Sequence, residues 1–263
     1  MNDDLALAVD LVEKAGTRVV DLSARGRWKG LVLAELGDNA ADGFLCGYLA
    51  AARPNDALLS EETTDSRARL AADRVWIIDP IDGSKEYGVF GAEWAVQLAL
   101  WRGGELAIGA LGIAAHGRLF AGAANGDPKF RIAKGVDRTV TGDTAEPLRP
   151  RLVVSKNHTP PWAPAFVERI GGELVVASGV GYKVGQLVAG EADVYVHEGT
   201  IKLNEWDTAA PEAVARAFAW GVTRLDGRRI AYNQAPPLTG DFLVCRPRSR
   251  DRFIAALKDV GAI

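Results

Sequence analysis

The chain carries a short apolar run that leads directly into acidic residues: Val75-Trp76-Ile77-Ile78 is followed by Asp79-Pro80-Ile81-Asp82-Gly83-Ser84. The apolar run predicts a buried β-strand, and the proline and glycine predict a turn where it ends. A turn with proline at its second position would bring both Asp side chains and the Ile81 carbonyl around one point. A fold that buries this strand must therefore place two carboxylates at one edge of a sheet.

A second apolar run, Ala57-Leu58-Leu59, also ends in acidic residues, at Ser60-Glu61-Glu62. Carboxylates that share a site repel one another, and a hard divalent cation with a preference for oxygen ligands relieves the repulsion. Taken together, the four acids Glu61, Glu62, Asp79 and Asp82 predict a Mg²⁺ site. The alternative for each residue alone is that the Asp side chains cap a turn and the Glu side chains are solvated surface charge.

The remaining pattern predicts two lobes in an α/β protein: an α+β N-terminal lobe at 1–135 and an α/β C-terminal lobe at 136–263. In the first lobe, apolar spacing predicts a helix over 5–19, a second helix from Asp38, and an antiparallel meander over 94–123. From Arg151 onward, strands alternate with helices, which are predicted at 161–170, 182–189 and 208–219.

Composition excludes several classes of function. The 263 residues carry a net charge of −3, without the basic field that nucleic-acid binding needs. No apolar run approaches the roughly 18 residues of a membrane span, and the opening Met1-Asn2-Asp3-Asp4 is acidic where a signal peptide is basic. With only two cysteines, the sequence favours a reducing compartment, and we expect a cytoplasmic protein.

Two later segments are candidate ligand contacts. Residues 178–183 (Ser-Gly-Val-Gly-Tyr-Lys) lie where a strand gives way to a helix, and a helix N-terminus suits an anion. An ordinary glycine-rich turn explains these residues about equally well, but Lys183 and Ser178 favour contact with a ligand. Asp207 precedes an alanine-rich helix and is a candidate N-cap. The hydroxyl of Ser84, two residues after Asp82, could hold a metal-bound water, although serine after glycine is also common in turns.

At these residues the sequence resembles the Mg²⁺-dependent, lithium-inhibited inositol monophosphatase superfamily. That family is marked by an acidic pair, an Asp-Pro-Ile/Leu-Asp-Gly-Thr/Ser segment and a later Trp-Asp, which here are Glu61-Glu62, residues 79–84 and Trp206-Asp207. The resemblance implies a layered αβαβα fold of the sugar-phosphatase type. Lys85-Glu86-Tyr87 and Ser155-Lys156-Asn157-His158 resemble the CysQ-type 3′(2′),5′-bisphosphate nucleotidases of actinobacteria.

The resemblance also implies a role for each site residue. The metal ligands would be Glu61, Asp79, the Ile81 carbonyl, Asp82 and Asp207. The catalytic residues that orient water would be Asp38, Ser84 and Glu62, where Asp38 rests on its spacing and on the helix that follows it. The substrate contacts would be Gly83, Ser84, Lys85, Ser155, His158, Ser178, Lys183 and Asp207. Two or three Mg²⁺ ions, a homodimer and a role in sulfur assimilation also follow from the resemblance.

The implied reaction is removal of the 3′-phosphate of 3′-phosphoadenosine 5′-phosphate by metal-activated water. One alternative is an inositol monophosphatase or another small sugar-phosphate phosphatase with the same catalytic residues. Another, of a different class, is a catalytically silent metal or nucleotide sensor. The catalytic motifs do not separate the substrates, but a sensor has no need to retain every metal-binding carboxylate.

Overall fold

The computed structural model describes residues 3–263, apart from the side chain of Phe130; Met1 and Asn2 of the acidic opening lie outside it. The helices are α1 (Asp3–Ala24), α2 (Leu31–Ala52), α3 (Ser84–Gly88), α4 (Ala163–Ile170), α5 (Val180–Ala189), α6 (Glu205–Ala217) and α7 (Arg250–Asp259). Within the described residues, none of these helices combines the length and hydropathy that a membrane crossing requires.

The strands form two main sheets and one short pair. The first sheet consists of β1 (Ala57–Ser60), β2 (Arg74–Asp82), β3 (Ala95–Arg102), β4 (Glu105–Ile113), β5 (Arg118–Ala123) and β6 (Arg131–Lys134), in chain order. The second sheet consists of β7 (Arg151–Ser155), β8 (Glu173–Ala177), β9 (Val194–His197), β11 (Gly221–Thr223) and β13 (Phe242–Cys245), in the order β11-β13-β9-β7-β8. The short pair is β10 (Leu203–Asn204) with β12 (Leu238–Thr239).

The elements stack in five layers. Helices α1 and α2 bury one face of the first sheet around Trp76, Ile78 and Leu98. The other face, with Ile77 and Ala99, packs with α5 and α6 and the inner face of the second sheet into one shared core. Helices α4 and α7 cover the outer face of the second sheet. The expected αβαβα layering is therefore confirmed, while the division at 135/136 stays a prediction.

The predicted turn at 79–82 is wrong in its local structure. Strand β2 continues through Pro80 to Asp82, with a shift in its pairing to β3 between Asp79 and Asp82. Proline is tolerated here because β1 pairs with β2 only as far as Ile78, so the missing N–H of Pro80 interrupts no ladder. The bulge, rather than a turn, brings both Asp side chains to the end of the strand.

The predicted start of the second helix at Asp38 is also wrong, because α2 begins at Leu31. Its first turn was missed because residues 31–34 form an unbroken apolar run, which shows no helical alternation of apolar and polar residues, although Leu31 and Val32 are exposed. Glycine at position 37 is a packing requirement: a Cβ there would lie 2.4 Å from Cε1 of Tyr87. Helices α3 and α7 and the strands β6, β10, β11 and β12 were not predicted, whereas the meander β3–β5 and the alternation from β7 onward were.

Candidate active site

The end of β2 places two carboxylates at the boundary between the two sheets. Asp79 is 1% exposed; among residues 3–263 its side-chain oxygens accept no hydrogen bond from an N–H group, and its carboxyl is in contact with that of Glu61. Asp82 is also buried, and its Oδ2 accepts a hydrogen bond of 2.6 Å from the N–H of Gly181, in the first turn of α5. The bulge in β2 thus directs the Asp82 carboxylate at a helix N-terminus and leaves the Asp79 carboxylate without an N–H donor.

The first turn of α6 supplies a third carboxylate. Asp207 was expected to be the N-cap of its helix, but the N-cap is Asn204 and Asp207 is the third helical residue. The Oδ2 of Asp207 accepts a hydrogen bond of 2.6 Å from the N–H of Asn204, as in a capping box. Capping therefore fixes the Asp207 side chain without excluding it from a further role.

Asp79, Asp82 and Asp207 form one cluster, in which a carboxylate oxygen of each residue lies within 4.8 Å of the others. Burial, followed by the charges of the neighbouring carboxylates, raises the pKa of Asp79 well above its ordinary range. Burial is also the main cause that raises the pKa of Asp207 to about 7. Burial raises the pKa of Asp82 as well, although the Lys183 ammonium and the N–H groups of Gly181 and Val180 oppose the rise.

The residues of this cluster fit a divalent cation. Two buried carboxylate oxygens of Asp79 without an N–H donor are costly in a fold, because each loses its hydration without a compensating bond. Three carboxylates at this spacing present the oxygen ligands that Mg²⁺ prefers. Ile81 has a hydrocarbon side chain, which packs in the core beside α1 and α2, so its backbone carbonyl is the one group that it can offer as a further ligand.

The acidic loop after β1 and one face of α2 border this cluster. Glu61 is open to solvent on one side, but its dense surroundings, followed by the charges of Asp38, Glu62 and Asp82, raise its pKa to about 7. Asp38 is 8% exposed; burial and then the Glu62 charge raise its pKa to about 7, while a hydrogen bond with Ser84 opposes the rise. The structure therefore gathers Asp38, Glu61, Glu62 and Ser84 around one another.

Asp42 is an acidic neighbour that the sequence analysis missed. It lies one turn after Asp38 on α2, and the Ser60 hydroxyl donates a short hydrogen bond to its carboxylate. The thiol of Cys46, one turn further on, donates to the same oxygen at 3.3 Å. The helical spacing of 38, 42 and 46 was the available signal, since the predicted helix from Asp38 already contains all three positions.

The N-terminus of α5 holds an anion, but the anion is the protein's own Asp82 carboxylate. This corrects the expectation that the N–H groups of 178–183 are free for a ligand. Lys183 is 3% exposed, its Nζ lies 5.1 Å from the ring centroid of Tyr195, and burial lowers its pKa to about 8. Its side chain therefore remains a cation beside Asp82 at the floor of a cavity.

This cavity has a volume of about 360 Å³ and opens beside the carboxylate cluster. Its walls include all eight predicted substrate contacts: Gly83, Ser84, Lys85, Ser155, His158, Ser178, Lys183 and Asp207. Asp82 also lines it, whereas Asp38, Glu61, Glu62, Asp79 and Ile81 are not among its lining residues. Further walls come from Tyr195, His197, Ile201 and Leu203, which the sequence analysis missed because strand and loop residues of this kind read as core.

A pair of salt bridges lies beside the cavity and includes its lining residue Glu86. The Nζ of Lys156, just after β7, lies 2.7 Å from a carboxylate oxygen of Glu86 on α3 and 2.9 Å from one of Glu93. The same oxygen of Glu93 accepts the N–H of Ser178 at 3.0 Å. The segment after β2 is thus tied to the ends of β7 and β8, so that both halves of the chain shape one cavity.

Fold and site together define a five-layer αβαβα protein with a carboxylate centre at a cleft between its sheets. The sequence model of the inositol monophosphatase family matches residues 32–262, and the chain belongs to that family. A 3′-phosphoadenosine 5′-phosphate phosphatase of Mycobacterium leprae is 36% identical over 98% of this chain and 94% of that protein. The 3′(2′),5′-bisphosphate nucleotidase CysQ of Escherichia coli is 27% identical over 82% of this chain and 85% of that protein.

Solved structures agree on the fold. The crystal structure of CysQ from Bacteroides thetaiotaomicron matches with a TM-score of 0.76 at 23% identity, and the match covers 94% of this chain and 98% of that one. The expected family and fold are therefore confirmed.

Proposed function

We propose that this protein is a Mg²⁺-dependent phosphomonoesterase that removes the 3′-phosphate of 3′-phosphoadenosine 5′-phosphate, giving AMP and phosphate. The observation that carries the proposal is the cluster of Asp79, Asp82 and Asp207 beside a 360 Å³ cavity. Such a cavity is within the size range that encloses a small molecule. Relatives that span nearly the whole chain carry the name of this activity.

The metal ligands in this proposal are Glu61, Asp79, the Ile81 carbonyl, Asp82 and Asp207, for two or three Mg²⁺ ions. Bound there, Mg²⁺ would neutralise the phosphate, acidify water and stabilise both the entering and the leaving oxygen of an in-line displacement.

The protein's own contribution is to hold the attacking water and the phosphate in line. The Ser84 hydroxyl and the Asp38 carboxylate are in contact, and a carboxylate whose pKa is about 7 can accept a proton near neutral pH. Glu62 adds negative charge beside Asp38 and so supports proton acceptance. The N–H groups that open α3, at Ser84 and Lys85, have no partner within the helix and can donate to the phosphate.

Cations and polar groups in the cavity walls are suited to bind a second phosphate on the substrate. Lys183 at the floor is held near Asp82, while Lys85 and His158 lie on the walls. Ser155 and Ser178 offer hydroxyls from the ends of β7 and β8. An inositol monophosphate has no second anion for these groups, and this difference favours the nucleotide over the sugar phosphate.

The test is phosphate release from the chelator-treated protein, with and without added Mg²⁺. The substrates are 3′-phosphoadenosine 5′-phosphate, inositol 1-phosphate and fructose 1,6-bisphosphate, and Asp79→Asn is the inactive control. Metal-dependent release that is fastest from the bisphosphorylated nucleotide supports the proposal. A preference for another ester keeps the chemistry and overturns the substrate, and no release from any ester leaves the sensor alternative.

A further inference from the structure

Gln97, on β3, is a buried polar residue that the fold does not satisfy. Its side chain is 0% exposed, and neither Oε1 nor Nε2 has a hydrogen-bond partner among the described residues. A buried amide left unpaired costs about 1–3 kcal/mol, whereas an apolar side chain of similar shape avoids that cost. Stability of the fold alone therefore does not explain a glutamine at this position.

The strand register places Gln97 beside Asp79. The two residues are direct partners in the antiparallel β2–β3 pair, so their side chains leave the same face of the sheet. Neighbouring positions on this face are apolar: Ile77 pairs with Ala99 one step along the ladder. The Gln97 amide, an N–H donor, and the Asp79 carboxylate, an acceptor, thus lie side by side in an apolar layer.

The first turn of α5 closes over the Gln97 amide. A Cβ on Gly181 would lie 3.1 Å from both Cδ and Nε2 of Gln97 and 2.6 Å from Cδ1 of Leu111, so a larger residue here would displace both side chains. The N–H of Gly181 is already donated to Asp82. Asp79 is in contact with the acid Glu61 but accepts no N–H donor, so among these neighbours it is the acceptor with unused capacity.

We propose that Gln97 is a positioning residue of the carboxylate centre. Its Nε2 donates a hydrogen bond to Asp79 when a divalent cation draws that carboxylate into coordination, which fixes the face of the carboxylate that meets the cation. A neutral amide orients the ligand without adding a positive charge that would compete with the cation. Hydrogen-bond partners of this kind are worth about 10–100-fold in metal affinity in other proteins. The inference rests on the proposed function, in which Asp79 is a metal ligand.

The experiment measures Mg²⁺ binding to the metal-free full-length protein by isothermal titration calorimetry, together with thermal unfolding in chelator. Gln97→Met and Gln97→Leu remove the amide and keep an apolar side chain of similar volume. Gln186→Met is the matched control, because the Oε1 of Gln186 is also buried without a partner but lies outside the carboxylate cluster and the cavity. We expect both Gln97 variants to bind Mg²⁺ about 10–100-fold more weakly, with a Tm in chelator equal to or above that of the wild type.

If Gln97 only stabilised the fold, its replacement would change the Tm but not the Mg²⁺ affinity. The two measurements therefore distinguish a positioning role from a structural one. Unchanged Mg²⁺ affinity in a folded Gln97 variant overturns the inference and leaves the proposed function intact. An equal loss of affinity in Gln186→Met also overturns it, since the effect would then be unspecific. Absence of Mg²⁺ binding by the wild type overturns the inference and the metal-dependent function together.

Discussion

Replacement of Asp38 by Asn should stabilise the metal-free protein in a pH-dependent way. The Asp38 carboxyl has an ordinary pKa of 3.8, which burial and the Glu62 charge raise to about 7. Because the folded state holds this proton more tightly than the unfolded chain, its contribution to stability is complete below pH 3.8 and is lost as the pH rises towards 7. Asparagine keeps the shape and the contact with Ser84 but never ionises.

The magnitude follows from the difference between the two pKa values. At about 1.4 kcal/mol per pKa unit, the raised pKa of Asp38 costs the folded state about 4 kcal/mol at pH 8, where the carboxyl is ionised. At pH 5 it costs about 2 kcal/mol, because the folded protein must hold a proton that the unfolded chain has lost. Urea unfolding in chelator at these two pH values should therefore show Asp38→Asn to be more stable, with the larger gain at pH 8. Saturating Mg²⁺ should reduce this advantage, because the cation compensates the carboxylates of the wild type. An equal gain at both pH values, or a loss at pH 8, would refute the electrostatic reasoning.

Three further substitutions test other parts of the structure. Gly181→Ala places a Cβ 2.6 Å from Leu111, so we expect a loss of about 1–3 kcal/mol in thermal unfolding and weaker activity; unchanged stability would contradict the tight approach. Glu205→Ala removes the acceptor of two hydrogen bonds, a buried one from the N–H of Asn233 and a partly buried one from the N–H of Gln234, and urea unfolding should show a loss of about 3 kcal/mol; a loss below about 1 kcal/mol would speak against it. Lys156→Met removes the bridge to Glu86, and steady-state kinetics should show a severalfold rise in KM with a stability change below about 1 kcal/mol; an unchanged KM would count against a role for the bridge.

The carboxylates of the site could be predicted from the sequence more completely than the backbone that positions them. The carboxylates of residues 79–84 and Asp207 are recognisable because their motifs are local, and the structure brings them within 4.8 Å. The bulge at Pro80 was read as a turn, since the sequence shows the proline but not that β1 has already ended beside β2. Local signals therefore identified the clustered carboxylates but not the backbone geometry that positions them.

Contacts between distant segments could not be predicted. The partner of the α5 N-terminus is Asp82, 99 residues earlier than Gly181, and no local pattern connects them. Gln97 reads as an ordinary strand residue until the register sets it opposite Asp79. The first turn of α2 was missed for another reason: residues 31–34 are all apolar, so no helical alternation marks them.

The hydrogen bond from Gly181 to Asp82 has a consequence for redesign of the enzyme. The Asp82 carboxylate both accepts a hydrogen bond from the first turn of a helix that lines the cavity and belongs to the carboxylate cluster proposed to bind the metal. A designer who reshapes the start of α5 to admit a new substrate therefore also perturbs catalysis. Asn157 and Ile201 also line the cavity, and neither belongs to the carboxylate cluster or to α5. Altered specificity should be sought there, where selection can explore side chains without disturbing the reaction.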